Sequence, residues 1–263
     1  MNIEGFKFPP IHDPQWVTER SRELACHLGL SFQVWLRDKD LSFVVLSSKS
    51  SACPGQKKIY LSAGVHGDEP GSVLGLIRWL EQSAKWLKEF HVTILPCLNP
   101  WGLRQNIRVD QKNHDLNRSY SRNDIPSVKA HRQLLQQKGP FDLALLLHED
   151  FDASGMYLYE VIDQHDLWGD SLLRAASKVV PIDSRPIIEK RAAKKGVIQR
   201  NLNSKTWQRW FKKWGLPEAV YIYRHHCHRV YTLETPSEFD LHKRARAHVL
   251  AVNEALRKLS HSP

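Results

Sequence analysis

The sequence predicts an α/β fold: a single domain with a mixed, largely buried central sheet flanked by helices. Three observations carry this. The apolar run Lys58–Val65, a helix-period segment beyond Glu69 and the apolar run Val92–Leu98 have the spacing of strand, crossover helix and strand. Two later apolar runs, Phe141–Leu147 and Arg229–Leu233, read as further strands. No internal repeat or low-complexity linker divides the 263 residues, so residues 1–263 read as one domain that includes the N-terminal part, 1–57.

Taken in order, residues 1–13 read as irregular. A helix follows from Gln15 to Leu28, stopped near Gly29. Phe32–Leu36 and Ser42–Leu46 form a hairpin candidate around the polar Arg37-Asp38-Lys39-Asp40. The helix after Glu69 is expected to reach about Leu87. Asn99 to Pro126 reads as a long irregular stretch, and connections of that length are usually functional. Ser127–Gln137 reads as a helix, Met156–Ile162 as a strand and Val220–Tyr223 as another. Ser237 is the expected cap of a last helix running to about Leu259, with Glu238 in its first turn.

Composition narrows the class. Apolar residues make up 41% and charged residues 25%, ordinary values for a globular protein. No run of 18 apolar residues occurs, so no membrane span is expected. The start, Met1–Lys7, lacks a basic stretch followed by an apolar one, and the expectation is a cytoplasmic protein. Cys26, Cys53, Cys97 and Cys227 are scattered, which excludes a zinc ribbon and reads as buried free thiols. The net charge of +10 permits anionic partners, but the densest basic run, Lys190–Lys195, reads as a solvated face rather than a nucleic-acid site. Trp207, Trp210 and Trp214 read as core or lid.

Chemistry gathers at strand ends. His66 closes one apolar run, and Glu69 follows three residues later at the mouth of a helix. An imidazole and a carboxylate so placed can point at one spot, and both are good ligands for zinc. His148 and Glu234 also follow apolar runs, and open α/β sheets build their sites beyond the carboxyl ends of strands.

The ordered set His66-Gly67-Asp68-Glu69, Asn99-Pro100-Trp101-Gly102-Leu103, Arg108, Asp115-Leu116-Asn117-Arg118, His148 and Thr232-Leu233-Glu234-Thr235-Pro236 resembles the zinc carboxypeptidase family. The carboxypeptidase A type, its small bacterial members and the related aspartoacylases and succinylglutamate desuccinylases share it. The resemblance implies a zinc carboxypeptidase-like fold and one zinc ion per chain, held by His66, Glu69 and His148. It implies that Asp115 orients His66, that Glu234 takes the proton from zinc-bound water, and that Arg108 faces the oxyanion beside the zinc. Asn117 and Arg118 would hold a substrate carboxylate. The implied partner is a small peptide or acyl amino acid with a free carboxylate, with no membrane and no nucleic acid expected.

Other readings stand beside these. Glu69 could serve only the helix N-terminus. Glu149 and Asp150 are alternative oxygen ligands to His148, Asn117-Arg118 could be a structural loop clamp, and Glu234 could be a surface ion-pair partner. Arg104 competes with Arg108, which the resemblance favours because its nine-residue offset from Asn117 is similar to that of the small bacterial members. The family has Asp where Trp101 stands, and Tyr157, Tyr159, Tyr221 and Tyr223 all compete for the role of an assisting tyrosine. The same residues would serve a carboxypeptidase or an amidohydrolase that removes an acyl group. An inactive metal-binding scaffold and a basic nucleic-acid-binding module are the readings from other classes.

Overall fold

Asp13 opens the first helix: its carboxylate accepts from the Gln15 amide 2.8 Å away, and Pro14 takes the first helical position. The computed structural model describes residues 10–161, 166–200 and 205–262, with the side chains of 205–208 excepted. The expectations for residues 1–9, Ile162 and the Trp207 side chain therefore lie outside the described residues. Helix α1 (Pro14–His27) leads into a hairpin of β1 (Ser31–Asp38) and β2 (Leu41–Ser47). The turn is only Lys39-Asp40, with Lys39 in the left-handed region, so Arg37 and Asp38 belong to the strand. Then come β3 (Lys58–Ala63), α2 (Pro70–Leu80), α3 (Ala84–Glu89) and β4 (His91–Leu95).

The single helix expected up to Leu87 is broken. The Ser83 hydroxyl donates to the Leu80 carbonyl at 2.9 Å, and that local bond helps end one helix before the next begins. The long stretch after Asn99 is not wholly irregular: it holds α4 (Pro100–Gln105) and a 3₁₀ turn, Leu116–Arg118. Helix α5 (Pro126–Lys138) precedes β5 (Leu143–Asp150) and β6 (Tyr157–Val161). Next are α6 (Gly169–Ala176), β7 (Ile187–Ile188), β8 (Arg191–Ala192), β9 (Val197–Arg200) and α7 (Lys205–Trp214).

The strand expected at Val220–Tyr223 is helical, part of α8 (Glu218–His225). Four β-branched and aromatic residues suit a strand equally well, and tertiary packing of Val220, Tyr221, Ile222 and Tyr223 decides otherwise. Strand β10 (Val230–Pro236) and α9 (Leu241–Ser260) end the fold. Asp240, not Ser237, caps α9, accepting from the Lys243 amide at 3.0 Å, so Glu238 precedes the helix.

Among the described residues the main sheet runs β1-β2-β4-β3-β5-β10-β6-β9. The four central strands β4, β3, β5 and β10 are parallel, and antiparallel pairings flank them. This is the mixed sheet flanked by helices that the sequence predicts.

Alternation along these strands builds two cores. Ile59, Leu61, Leu143, Leu145, Leu147, Tyr231 and Leu233 pack with α2, α6 and α9 on one face. Tyr60, Ala144, Leu146 and Val230 pack with α5 and α8 on the other. The same parity assigns the polar residues at the strand ends to opposite faces. His148 and Glu234 continue the α8 face, whereas Glu149 and Thr235 continue the α9 face. Both His148 and Glu234 lie inside their strands rather than after them. No described helix is long and apolar enough to cross a membrane.

Candidate active site

The turn after β3 is built on glycine. Gly64 is in the left-handed region, and a Cβ on Gly67 would sit 1.8 Å from the Gly102 carbonyl carbon, so only glycine lets α4 pack on this turn. That packing aims His66 back toward Glu69. Glu69 occupies the N-cap position of α2 but makes no capping bond; its carboxylate turns to His66 and His148 instead. One oxygen makes a very short contact with His66 Nδ1, and the other lies 3.0 Å from His148 Nδ1 without forming an aligned hydrogen bond. All three side chains are buried, and one donor atom from each lies within 4.8 Å of the others.

The donor set fits a divalent cation. Asp115 Oδ1 lies 3.3 Å from His66 Nε2, and Arg108 Nη1 donates to His66 Nδ1 at 3.2 Å. This arrangement puts the His66 proton on the Asp115 side and leaves Nδ1 with a lone pair facing the Glu69 oxygen. A bare nitrogen and a carboxylate oxygen that close repel one another unless a proton or a cation lies between them. Burial alone would raise the Glu69 carboxyl, but His66 and His148 outweigh it and hold it well below the usual carboxylate range. Burial would lower both rings; Glu69, together with Asp115 at His66 and with Glu234 at His148, outweighs it and holds both above the ordinary histidine value.

Arg108 also reaches Asp115, with Nε 3.1 Å from Oδ2. Desolvation would raise the Asp115 carboxyl, but His66 and Arg108 outweigh it and hold it below its usual range. Arg104 points elsewhere, pairing with Asp40 at 2.6 Å. Of the two arginines, Arg108 lines the cleft and Arg104 does not.

Glu234, 9% exposed, borders the same cleft. Burial lifts its carboxyl well above the ordinary value; His148 eases that rise, and Glu69, Glu189 and Asp150 add to it. It is not a surface ion-pair partner. Glu149, adjacent to His148 in sequence, has its side-chain bonds on the opposite face of the sheet, to Gly71, Thr235 and Arg244. Asp150 accepts from the Tyr157 hydroxyl at 2.9 Å. Neither belongs to the cluster of converging donors.

The cleft has a volume of about 820 Å³. Asn117 and Arg118 lie along it. The Asn117 side-chain Oδ1 accepts from the Glu218 backbone amide at 3.0 Å, and the Arg118 guanidinium sits 5.8 Å from the Trp210 ring centre. Tyr157 and Tyr159 line this cleft, while Tyr221 and Tyr223 pack into the core. Trp101 lines a separate cavity of about 340 Å³. Lys190 and Arg191, from the run read as a solvated face, also line the cleft together with Glu189 and Arg200. Glu189 and Lys190 form the tight turn between β7 and β8 with both residues at positive φ. Such turns favour Asn-Gly, so nothing in the sequence marks this one.

The catalytic-domain model of the succinylglutamate desuccinylase/aspartoacylase family matches residues 55–182, a span that contains His66, Glu69, Arg108, Asp115, Asn117, Arg118 and His148. The fold agrees with it. The chain has a carboxypeptidase-like fold, and its residues 55–182 are similar to the catalytic domain of the aspartoacylase family. A proposed metallopeptidase from Shewanella amazonensis has a similar structure, with 20% identity, a TM-score of 0.81 and coverage of 95% of this chain and 94% of that one. A metallo-carboxypeptidase from Burkholderia cenocepacia is similar at 17% identity and TM-score 0.65, over 92% of this chain and 68% of that one. Carboxypeptidase A from Helicoverpa armigera is similar at 14% identity and TM-score 0.69, over 97% and 75%. At such identities the structural likeness establishes the carboxypeptidase-like fold. Among curated proteins none matches the chain in sequence.

Proposed function

We propose that this carboxypeptidase-like chain is a zinc-dependent hydrolase of an amide bond next to a free carboxylate, and a metallocarboxypeptidase in the first instance. The observation that carries the reading is the convergence of His66, Glu69 and His148 at a cleft that Glu234, Arg108 and Arg118 also line. Bound by those three side chains, zinc would polarise the scissile carbonyl and lower the pKa of water. Asp115 keeps the His66 proton on Nε2 and so keeps Nδ1 available as a donor atom. Glu234 takes the proton from the attacking water and returns it to the leaving amine. Arg108 faces the developing oxyanion with a fixed positive charge.

Asn117 and Arg118 hold the substrate carboxylate. With its oxygen taken by the Glu218 amide, the Asn117 side chain has its NH₂ group left to donate. A forked guanidinium beside it favours an acid over the matching neutral amide. The matching family model supports a second reading, removal of an acyl group from an amino acid, which needs the same residues.

One set of assays tests both readings. The purified chain should hold about one zinc, as three protein ligands imply, and His66→Ala should lose it. Rates are then compared on peptides, on acyl amino acids and on their amides. A free carboxylate should be preferred by roughly 30- to 1000-fold in kcat/KM, and Arg118→Met should erase most of that preference. Equal rates on acid and amide would remove the clamp. Turnover of acyl amino acids alone would favour the deacylase.

A further inference from the structure

The proposed mechanism uses the α8 face of β5 and β10 and leaves a buried ion pair on the opposite face without a role. Glu149 has no exposed side-chain surface, and Arg244 of α9 donates to its Oε1 at 2.8 Å. The same oxygen accepts from the Thr235 hydroxyl at 3.1 Å, and Oε2 accepts from the Gly71 amide at 2.6 Å. Thr235 Oγ1 in turn lies 3.0 Å from His248 Nε2.

Each of these contacts adjoins a functional side chain. Glu149 follows His148 directly, Thr235 follows Glu234 directly, and Gly71 stands two residues beyond Glu69. One carboxylate therefore ties together the three segments that bring the third ligand, the base and the second ligand to the cleft. There is no slack at this junction: a Cβ on Gly71 would lie 2.3 Å from Glu149 Oε1. An unsupported buried carboxylate would be costly, and both Glu149 oxygens are engaged, by Arg244, Thr235 and Gly71.

We propose that Glu149 and Arg244 are positioning residues that set the spacing of Glu69, His148 and Glu234, so that zinc affinity depends on them although neither supplies a ligand atom. The inference rests on the reading of His66, Glu69 and His148 as zinc ligands. Side chains that orient ligands from behind typically change metal affinity by about 10- to 100-fold when altered.

The test measures zinc affinity of the full-length chain by competition with a chromophoric chelator, alongside thermal melting. Wild type, Glu149→Gln, Arg244→Met, Thr235→Val and Thr235→Ser are compared, with His66→Ala as control. Folded Glu149→Gln and Arg244→Met should bind zinc roughly 10- to 100-fold more weakly. Thr235→Val should fall between them and wild type, and Thr235→Ser, which restores the hydroxyl, should recover. A purely structural role would lower the melting temperature and leave affinity unchanged well below it; that result overturns the proposal. If the charge variants do not fold, Thr235→Val decides, and wild-type affinity in it overturns the proposal equally. Unchanged zinc binding in His66→Ala would instead refute the ligand assignment, and the proposal would fall with it.

Discussion

Glu234 lies beside His148 in the parallel ladder of β5 and β10, Cα partner to Cα partner, and both side chains project to the same face. The proposed base is thus placed by strand register, not by a loop. Glu234→Gln keeps the shape and removes the proton acceptor. Turnover should fall by about two orders of magnitude or more, while zinc content, which depends on other side chains, stays at the wild-type level. Steady-state kinetics paired with metal analysis checks this, and an active variant would take Glu234 out of the mechanism.

The two arginines should separate cleanly. Removing one charged donor at a developing oxyanion typically costs about 10²- to 10³-fold in kcat, and Arg108→Met should show a loss of that order. Arg104 is engaged with Asp40 in a partly exposed pair away from the cleft. Such pairs contribute about 0–1 kcal/mol, so Arg104→Met should keep its kcat/KM within a few-fold. The reverse pattern would exchange their roles.

Glycine at 67 is required by space and glycine at 55 only by backbone conformation. Gly67→Ala drives a methyl into the Gly102 backbone and must displace either α4 or the turn that carries His66. The expected cost is about 3 kcal/mol or more, at the upper end of overpacking effects, together with weaker zinc binding. Gly55→Ala meets nothing within 4 Å and bears only the cost of a positive φ, about 1–2 kcal/mol. Denaturant melts of the two variants test the contrast, which comparable losses would contradict.

His131 gives the fold an identifiable acid-sensitive component. Its ring is fully buried between the Tyr60 and Tyr120 hydroxyls, at 2.9 and 2.7 Å, and burial, reinforced by the charge of His226, pushes its pKa down to about 3 from 6.5. Between those values the unfolded chain binds the proton and the native chain does not. The histidine's contribution is therefore complete above pH 6.5 and is lost as pH falls through the window. Relative to His131→Gln, the wild type should lose about 1.4 kcal/mol of stability per pH unit well below 6.5. Parallel stability curves from pH 7 to 4 would show that the site does not titrate this way.

The parallel centre of the sheet is legible in the sequence because long apolar runs bounded by turn residues leave few alternatives, and His66 and Glu69 stand out against such a run. Other features are hidden by the same chemistry. In Leu143–Leu147 both faces are apolar, so no alternation shows that His148 and Glu149 diverge. The Val220–Tyr223 quartet has strand-like composition and becomes a helix through its packing. The capping pattern misleads at Ser237, because Asp240 lies three residues on and makes the actual bond. Lys190 and Arg191 reach the cleft through a turn of two non-glycine residues in the left-handed region, a conformation that their identities do not announce.

The order of the strands has a consequence for how this molecule could diversify. From β3 the chain adds β4 on one side and then returns to add β5 on the other. The donors at His66, Glu69 and His148 therefore straddle the point where the sheet reverses its direction of growth. Much of the far cleft wall, including Lys190, Arg191, Arg200 and Trp210, comes from stretches outside those central strands. On the proposed function, chemistry and selectivity would thus be carried by different lengths of polypeptide. Varying the cleft-lining Lys190 and Arg191 would leave the proposed reacting groups on their own ladder, which makes that turn the natural place to redirect a hydrolase of the proposed kind toward new molecules.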